Sequence, residues 1–241
     1  MNQKIHSGKR AALICLCVGM VLFGVHPVQS ESDKISLSVS GGGGYLPLDN
    51  WKDIFSDIPS SRFREDKFGS YLDFHASYFL TDKHALALDV EYIAVSASLY
   101  NVSIQTNEFG HFVGYFQTVV EWDFSATPFG FSYEFYPKGR EGNVSPFLGG
   151  GLDYFFSQVR GRTFLYLDQS TENPIQKSSR SGEGYGLHAY VGIESKLTDH
   201  WVVLSRLRGR YADGMEFTDK PGAIKVEFTG VDFTLGLGGR F

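Results

Sequence analysis

The last eleven residues alternate. Val231, Phe233, Leu235, Leu237 and Phe241 share one parity, and Asp232, Thr234, Gly236, Gly238 and Arg240 share the other. Successive side chains of a β-strand point to opposite faces, so this is a strand with one apolar face and one polar face. A helix repeats every 3.6 residues and cannot sort such a segment into two faces. A chain written this way must build sheet, and the apolar face of that sheet must be covered by something.

Seven earlier segments carry the same rhythm. The first, about 35–48, sets Ile35, Leu37, Val39 and Tyr45 against Ser36, Ser38 and Ser40, with four glycines at 41–44 that permit bending. No Lys-Ser/Thr or helix follows those glycines, so they are not a phosphate loop. The second, about 67–80, sets Leu72, Phe74, Ala76 and Tyr78 against Asp73, His75 and Ser77. The third opposes Leu86, Leu88, Val90 and Tyr92 to Asp89 and Glu91. In the fourth, about 115–136, Phe116, Trp122 and Phe124 hold one parity, and Phe129, Phe131, Tyr133 and Phe135 hold the other after Pro128. A switch of parity at a proline predicts a β-bulge. The fifth (about 144–159), sixth (about 184–197) and seventh (201–211) continue the pattern, the last opposing Trp201, Val203, Leu207 and Tyr211 to Arg206, Arg208 and Arg210.

The connections alternate long and short. Tight turns at Thr81-Asp82-Lys83 and Thr198-Asp199-His200 resemble each other, and the stretch 160–181 is a long loop carrying Arg160, Arg162, Lys177 and Arg180. Eight strands in an up-and-down meander, with short turns at one end and long loops at the other, suit a transmembrane barrel. Aromatics gather near strand ends (Tyr45, Phe68, Tyr100, Tyr185 and Tyr211 at one; Phe79, Phe135, Trp201 and Phe241 at the other), as interfacial girdles do.

The beginning of the chain agrees with export. Lys4, Lys9 and Arg10 precede an apolar run at 11–25, and Val28-Gln29-Ser30 suits cleavage after Ser30. The run is shorter than the roughly 20 residues of a spanning helix, so 1–30 reads as a signal peptide and 31–241 as a single barrel domain. Both cysteines, Cys15 and Cys17, lie in the leader, and the residues before them are not the small ones a lipid-attachment site needs. The remaining 211 residues hold 19 Lys+Arg against 27 Asp+Glu, a net charge of −8, which excludes nucleic acid as a partner.

From about 35 to 241 the chain resembles the small eight-stranded outer-membrane barrels of the OmpA, OmpX and OmpW kind, most closely the general outer-membrane β-barrel-domain superfamily. The resemblance is carried by the run 184–194 (Gly-Tyr-Gly-Leu-His-Ala-Tyr-Val-Gly-Ile-Glu), by 201–211 and by Leu235-Gly236-Leu237-Gly238-Gly239-Arg240-Phe241. It implies an all-β, eight-stranded antiparallel barrel in the bacterial outer membrane with both termini in the periplasm. It also makes Phe241 the C-terminal signal read by the barrel-assembly machinery. The expected partners are outer-membrane lipid, lipopolysaccharide and a possible extracellular ligand at the loops. No cofactor is expected.

Alternation leaves open which face meets lipid, since a soluble calyx of eight strands carries its apolar face inward. Charge placement favours the membrane form. Arg206, Arg208 and Arg210, with Asp89, Glu91, Glu121, Asp123, Asp153 and Glu194, form a matched set for a lumen charge network. Eight strands leave room only for side chains, so such charges survive by pairing.

Catalytic and metal sites are not evident. His75 follows Asp73 by two on one face, and His75-Ala76-Ser77 puts a serine there too, but without the asparagine that flanks such pairs in the lipid A deacylases. His188 sits on a polar face; His84 and His200 sit at turns and His111 in a loop. No His/Asp/Glu cluster has metal-ligand spacing. The reading is therefore a non-enzymatic barrel for envelope integrity or surface binding. The alternatives are a narrow OmpW-like channel for small hydrophobic solutes and a lipid A-modifying or proteolytic enzyme.

Overall fold

The computed structural model describes residues 34–47, 61–65, 67–106, 109, 112–167, 176–212, 215–217 and 224–241; the leader and His111 lie outside the described residues. The strands are β1 (Ile35–Tyr45), β2 (Ser61–Glu65), β3 (Phe68–Thr81), β4 (His84–Thr106), β5 (Phe112–Phe135), β6 (Val144–Leu167), β7 (Gln176–Lys196), β8 (Trp201–Ala212), β9 (Met215–Phe217), β10 (Ile224–Val226) and β11 (Gly230–Arg240). Among the described residues, eight of them close a ring of antiparallel pairs in the order β1-β3-β4-β5-β6-β7-β8-β11. The chain ends make the closure. β1 pairs β11 from Ser36 opposite Arg240 to Tyr45 opposite Val231, and Ile35 and Phe241 exchange both backbone hydrogen bonds, at 2.9 and 2.8 Å.

The predicted meander is therefore present, with strands longer than expected on one side. β4 to β7 run 23, 24, 24 and 21 residues, against 11 or 12 for β1, β8 and β11. About 9–11 tilted residues cross a bilayer, so β4 to β7 form a wall that extends beyond the lipid. β2 adds to this wall beside β4, and β9 and β10 add to it beside β7. Of the expected loop 160–181, residues 160–167 and 176–181 are strand and 168–175 lie outside the described residues: Arg160, Arg162, Lys177 and Arg180 lie on paired strands, with Arg162 opposite Lys177. Polar outward positions hid these strand extensions from a reading that looked for an apolar face.

The barrel is inside-out relative to a soluble protein. Leu88, Phe131, Leu152, Leu187, Leu207 and Phe233 point outward at 49–63 % exposure, whereas Asp73, Asp89, Glu91, Arg206 and Arg208 point inward at 2 % or less. A soluble calyx would reverse the two faces. An apolar outer belt is instead what hydrocarbon stabilises.

No bulge occurs at Pro128. The β4–β5 register is the same on both sides of it, with Val90 opposite Phe129 and Ile93 opposite Ala126. The apparent parity switch is a boundary crossing. Below this level the outward face is apolar and the inward face polar; above it Ser96 and Ser98 share the outward parity, and Ile93, Val95, Phe124 and Ala126 are buried inside. The proline does break the ladder to β4, because it has no N–H to donate.

The lumen is thus stacked in three layers. Toward the turn end lie Phe79, Ala85, Tyr136, Phe147, Tyr190 and Leu204. Toward the loop end lies a larger apolar cluster that includes Tyr71, Ile93, Phe124 and Phe155, capped by Leu46 and Phe228. The charges lie between. Phe79 therefore faces inward and is not part of the lower aromatic girdle, while Trp201, Tyr45, Phe68, Tyr185 and Tyr211 do face outward.

Candidate functional site

β8 passes through the middle layer carrying Leu204, Arg206, Arg208, Arg210 and Ala212 at successive inward positions. Period-2 geometry stacks the three guanidiniums along one wall, where they would repel one another without counter-ions. β3, β4 and β11 supply these. Arg206 pairs with Asp73 and, through Nη1, lies 2.9 Å from Asp89 Oδ1. Arg208 pairs with Glu91 and lies 3.7 Å from Asp73. Arg210 lies 2.5 Å from Glu91 Oε2 and 3.7 Å from Asp232. Ser40 donates to Asp73 at 2.9 Å. Aromatic rings complete the packing, with the Arg206 and Arg208 guanidiniums 5.2 and 5.8 Å from the centre of Tyr190, and Arg210 5.7 Å from Phe155.

Not every expected charge joins this layer. Asp89 and Glu91 do, and Asp153 adjoins it through His188, 2.9 Å away. Glu194 sits lower, paired with Arg240 and 3.6 Å from Arg140, beside a cleft lined by Lys34, Phe79, Arg140 and Arg240. Glu121 and Asp123 are excluded. They take the outward parity of β5 above the lipid belt, are partly exposed, and lie 3.3 and 2.9 Å from Arg162. Sign complementarity alone had grouped them with the lumen; parity separates them, because the inward positions of β5 are Phe124, Ala126, Gly130, Ser132 and Glu134. Asp73, Glu134, Asp232, Arg140 and Arg240 are buried participants that charge matching with β8 had not singled out. Three of them were legible, since each acid stands between two outward apolar residues: Asp73 between Leu72 and Phe74, Glu134 between Tyr133 and Phe135, and Asp232 between Val231 and Phe233.

Two Ser–His–Asp arrays occupy the same layer. His75 Nδ1 lies 2.7 Å from Asp89 Oδ1 and its Nε2 lies 2.8 Å from Ser77 Oγ. His188 Nδ1 lies 2.9 Å from Asp153 Oδ1 and its Nε2 lies 2.7 Å from Ser132 Oγ. These resemble the order of groups in a nucleophilic triad, and the His75–Ser77 pairing is closer than the sequence had suggested. Each serine also meets a second carboxylate, Ser77 with Glu134 Oε2 at 2.8 Å and Ser132 with Asp89 Oδ2 at 3.2 Å, which competes with the histidine for the hydroxyl proton.

Asp73, Asp89 and Glu91 each bring a carboxylate oxygen within 4.8 Å of the others, a spacing not evident in the sequence. The guanidiniums of Arg206 and Arg208 lie among those oxygens and supply the positive charge. Outside the barrel wall, at the turn after β7, a hydrogen bond from Lys196 at 2.8 Å holds the Asp199 carboxyl below the usual carboxylate range.

No family model matches the chain, and no curated protein matches it. Solved structures similar to it include OprG from Pseudomonas aeruginosa, 13 % identical over 89 % of this chain and 99 % of that one, with a TM-score of 0.46. Neisserial surface protein A is also 13 % identical, over 88 % of this chain and all of that one, with a TM-score of 0.46. Ail of Yersinia pestis is 16 % identical over 88 % of this chain and all of that one, with a TM-score of 0.40. These are likenesses of form and do not bear on role. What stands on the chain's own geometry is an eight-stranded antiparallel barrel, apolar outside and charged within, similar to small outer-membrane barrels.

Proposed function

We propose that this chain is a closed, non-enzymatic barrel of the bacterial outer membrane that serves envelope integrity or surface binding. The single observation that supports this reading is the position of Arg206, Arg208 and Arg210. All three are buried and paired with carboxylates between two apolar layers of the lumen. A water-filled pore needs a continuous polar path, and the stacked side chains leave none in this reading. Each buried pair resists separation, because breaking one leaves a charge unpaired in a dry interior.

In this reading the turn end and both termini face the periplasm, and β4 to β7 stand out from the cell surface. Their outward polar residues, Arg160 and Lys177 among them, meet the phosphates of lipopolysaccharide or an extracellular ligand. The terminal strand, ending at Phe241, is the segment handed to the assembly machinery. A hydrophobic-solute channel gains some support from the apolar upper lumen (Ile93, Val95, Phe124, Phe155). That path would end on the charged layer, so we favour the closed form.

Single-channel recording in planar bilayers tests it, with the refolded mature protein beside a variant carrying Arg206, Arg208 and Arg210 changed to serine. The closed reading expects a silent wild type and current only after the substitution. Steady conductance from the wild type would overturn it in favour of a channel.

A further inference from the structure

Above the lipid belt the outward face of the wall is built in rows, one residue from each strand. The belt ends at an aromatic rim, where Tyr154 packs 4.8 Å from Phe156 and 5.1 Å from Tyr185, and Phe156 packs 5.7 Å from Phe129. The outward rows above it, on β5, β6 and β7, are Ser125, Gln158 and Ser181, then Asp123, Arg160 and Ser179, then Glu121, Arg162 and Lys177. The acids of these rows stand on β5 and the cations on β6 and β7.

The three cations are not equivalent. Arg162 is neutralised by Glu121 and Asp123, at 3.3 and 2.9 Å. Arg160 instead donates from Nε and Nη2 to the amide oxygen of Gln158, at 3.2 and 2.9 Å, and the Gln158 amide nitrogen donates to Ser179 at 3.1 Å. A neutral amide fixes the direction of a guanidinium without cancelling its charge. Among the described residues Arg160 has no carboxylate partner, and neither has Lys177; both are exposed. Arg160 faces Ser179 across the ladder, so Lys177 is its diagonal neighbour. Such neighbours stand roughly 7 Å apart, and two long cationic side chains at that spacing converge on one anion with several oxygens.

Position selects the anion. Arg160 lies four residues beyond Phe156 on the same face of β6, about 10 Å above the rim for a tilted strand. Its guanidinium is turned back onto Gln158, which is toward the lipid and away from the tip of the wall. On that side the Glu183 carboxylate accepts the Tyr154 hydroxyl at the rim. We propose that Arg160 and Lys177 form a site for a phosphate group of lipid A, whose acyl chains lie against the aromatic rim and the apolar belt below it. The proposal rests on the outer-membrane reading above, in which this wall faces the lipopolysaccharide leaflet, and adds to it the two residues that hold the lipid. Gln158 is their positioning residue.

Native mass spectrometry of the refolded mature protein, released from a neutral detergent, tests this. Three probes are titrated: bisphosphorylated lipid A, the same lipid A stripped of its phosphates, and glucosamine 1-phosphate, which offers the anion without acyl chains. The expected result is retention of the phosphorylated lipid A, much weaker retention of the stripped form and none of the soluble sugar. Arg160→Gln with Lys177→Gln weakens retention by about tenfold or more, since each cation near a charged lipid surface contributes about fivefold. Arg162→Gln with Asp123→Asn, which removes one charge of each sign beside the site, changes retention by less than about twofold in this account. All four residues lie on the outer surface of the wall, and the electrophoretic mobility shift confirms that each variant is folded. Equal retention of the two forms of lipid A would overturn the proposal, and so would a double variant that binds like the wild type. An Arg162 and Asp123 variant that loses as much would overturn the two-residue site in favour of a diffuse field. Retention of glucosamine 1-phosphate through Arg160 and Lys177 would assign the site to a soluble ligand and overturn the lipid. None of these outcomes depends on conductance, so this proposal and the closed-barrel reading can fail separately.

Discussion

Gly149 lies against the ring of Tyr190: a β-carbon at position 149 would stand 2.5 Å from two of the ring atoms. The missing side chain lets Tyr190 lie flat across the wall of β6, where its hydroxyl donates to Glu134 at 2.9 Å and its face receives Arg206. Gly149→Ala would push the ring away and loosen both contacts. Overpacking of this kind costs about 1–3 kcal/mol. The check is a melting curve followed by the electrophoretic mobility shift between folded and unfolded barrel, in which the variant unfolds at lower temperature and wild-type behaviour would show that the ring has room to move.

The lumen and surface arginines should differ sharply. Arg206→Ala leaves Asp73 and Asp89 short of a counter-charge in a dry layer, a loss of about 3–5 kcal/mol. Arg162, partly exposed beside Glu121 and Asp123, is a surface pair, and Arg162→Ala should cost under about 1 kcal/mol. Urea unfolding of the two variants in the same detergent measures the contrast. Equal losses would mean that the surface cluster is more buried than its outward parity implies.

The level at which the wall of β4 leaves the lipid can be mapped with thiols, because the two cysteines of the sequence, Cys15 and Cys17, both precede the barrel strands. Cysteine at Ser96 or Ser98, outward and above the apolar belt, should react with a charged maleimide in intact liposomes. Cysteine at Leu88 or Val90, outward and within the belt, should not. Labelling at Val90 as fast as at Ser98 would place the boundary lower than the change of facing describes.

Phe241 joins the ends of the ring through its paired backbone bonds with Ile35. Deleting it removes both, so spontaneous folding into short-chain lipid vesicles should slow several-fold even without any assembly machinery. Phe241→Ala keeps the backbone bonds and should fold nearly as the wild type in those vesicles. In vesicles that contain the machinery, the same variant should be slowed if the aromatic ring is what is recognised.

Much of the architecture is written locally. Whether Leu72 and Asp73 point apart is decided by the backbone between them, so alternation identified eight strands and the short turns that make them a meander, and with the charge placement it pointed to the lipid-facing side. Lumen residues such as Asp73 and Asp232 were legible by the same parity. The limits of the local signal were equally physical. A strand that passes from hydrocarbon into water exchanges the character of its two faces, which on β5 imitated a bulge at Pro128 and on β6 and β7 imitated a loop.

The pairings inside the lumen belong to the tertiary structure. Arg206 and Asp73 are 133 residues apart, and only the closure of the ring and the register between strands bring them to the same height. The same closure separates Glu121 and Asp123 from the charges they were expected to meet, and gathers two histidines among serines and carboxylates from β3, β4, β5 and β6. Parity says which face a side chain takes. Height along the barrel, which decides the partner, depends on how every strand is staggered against its neighbours, and no single segment of sequence carries that information.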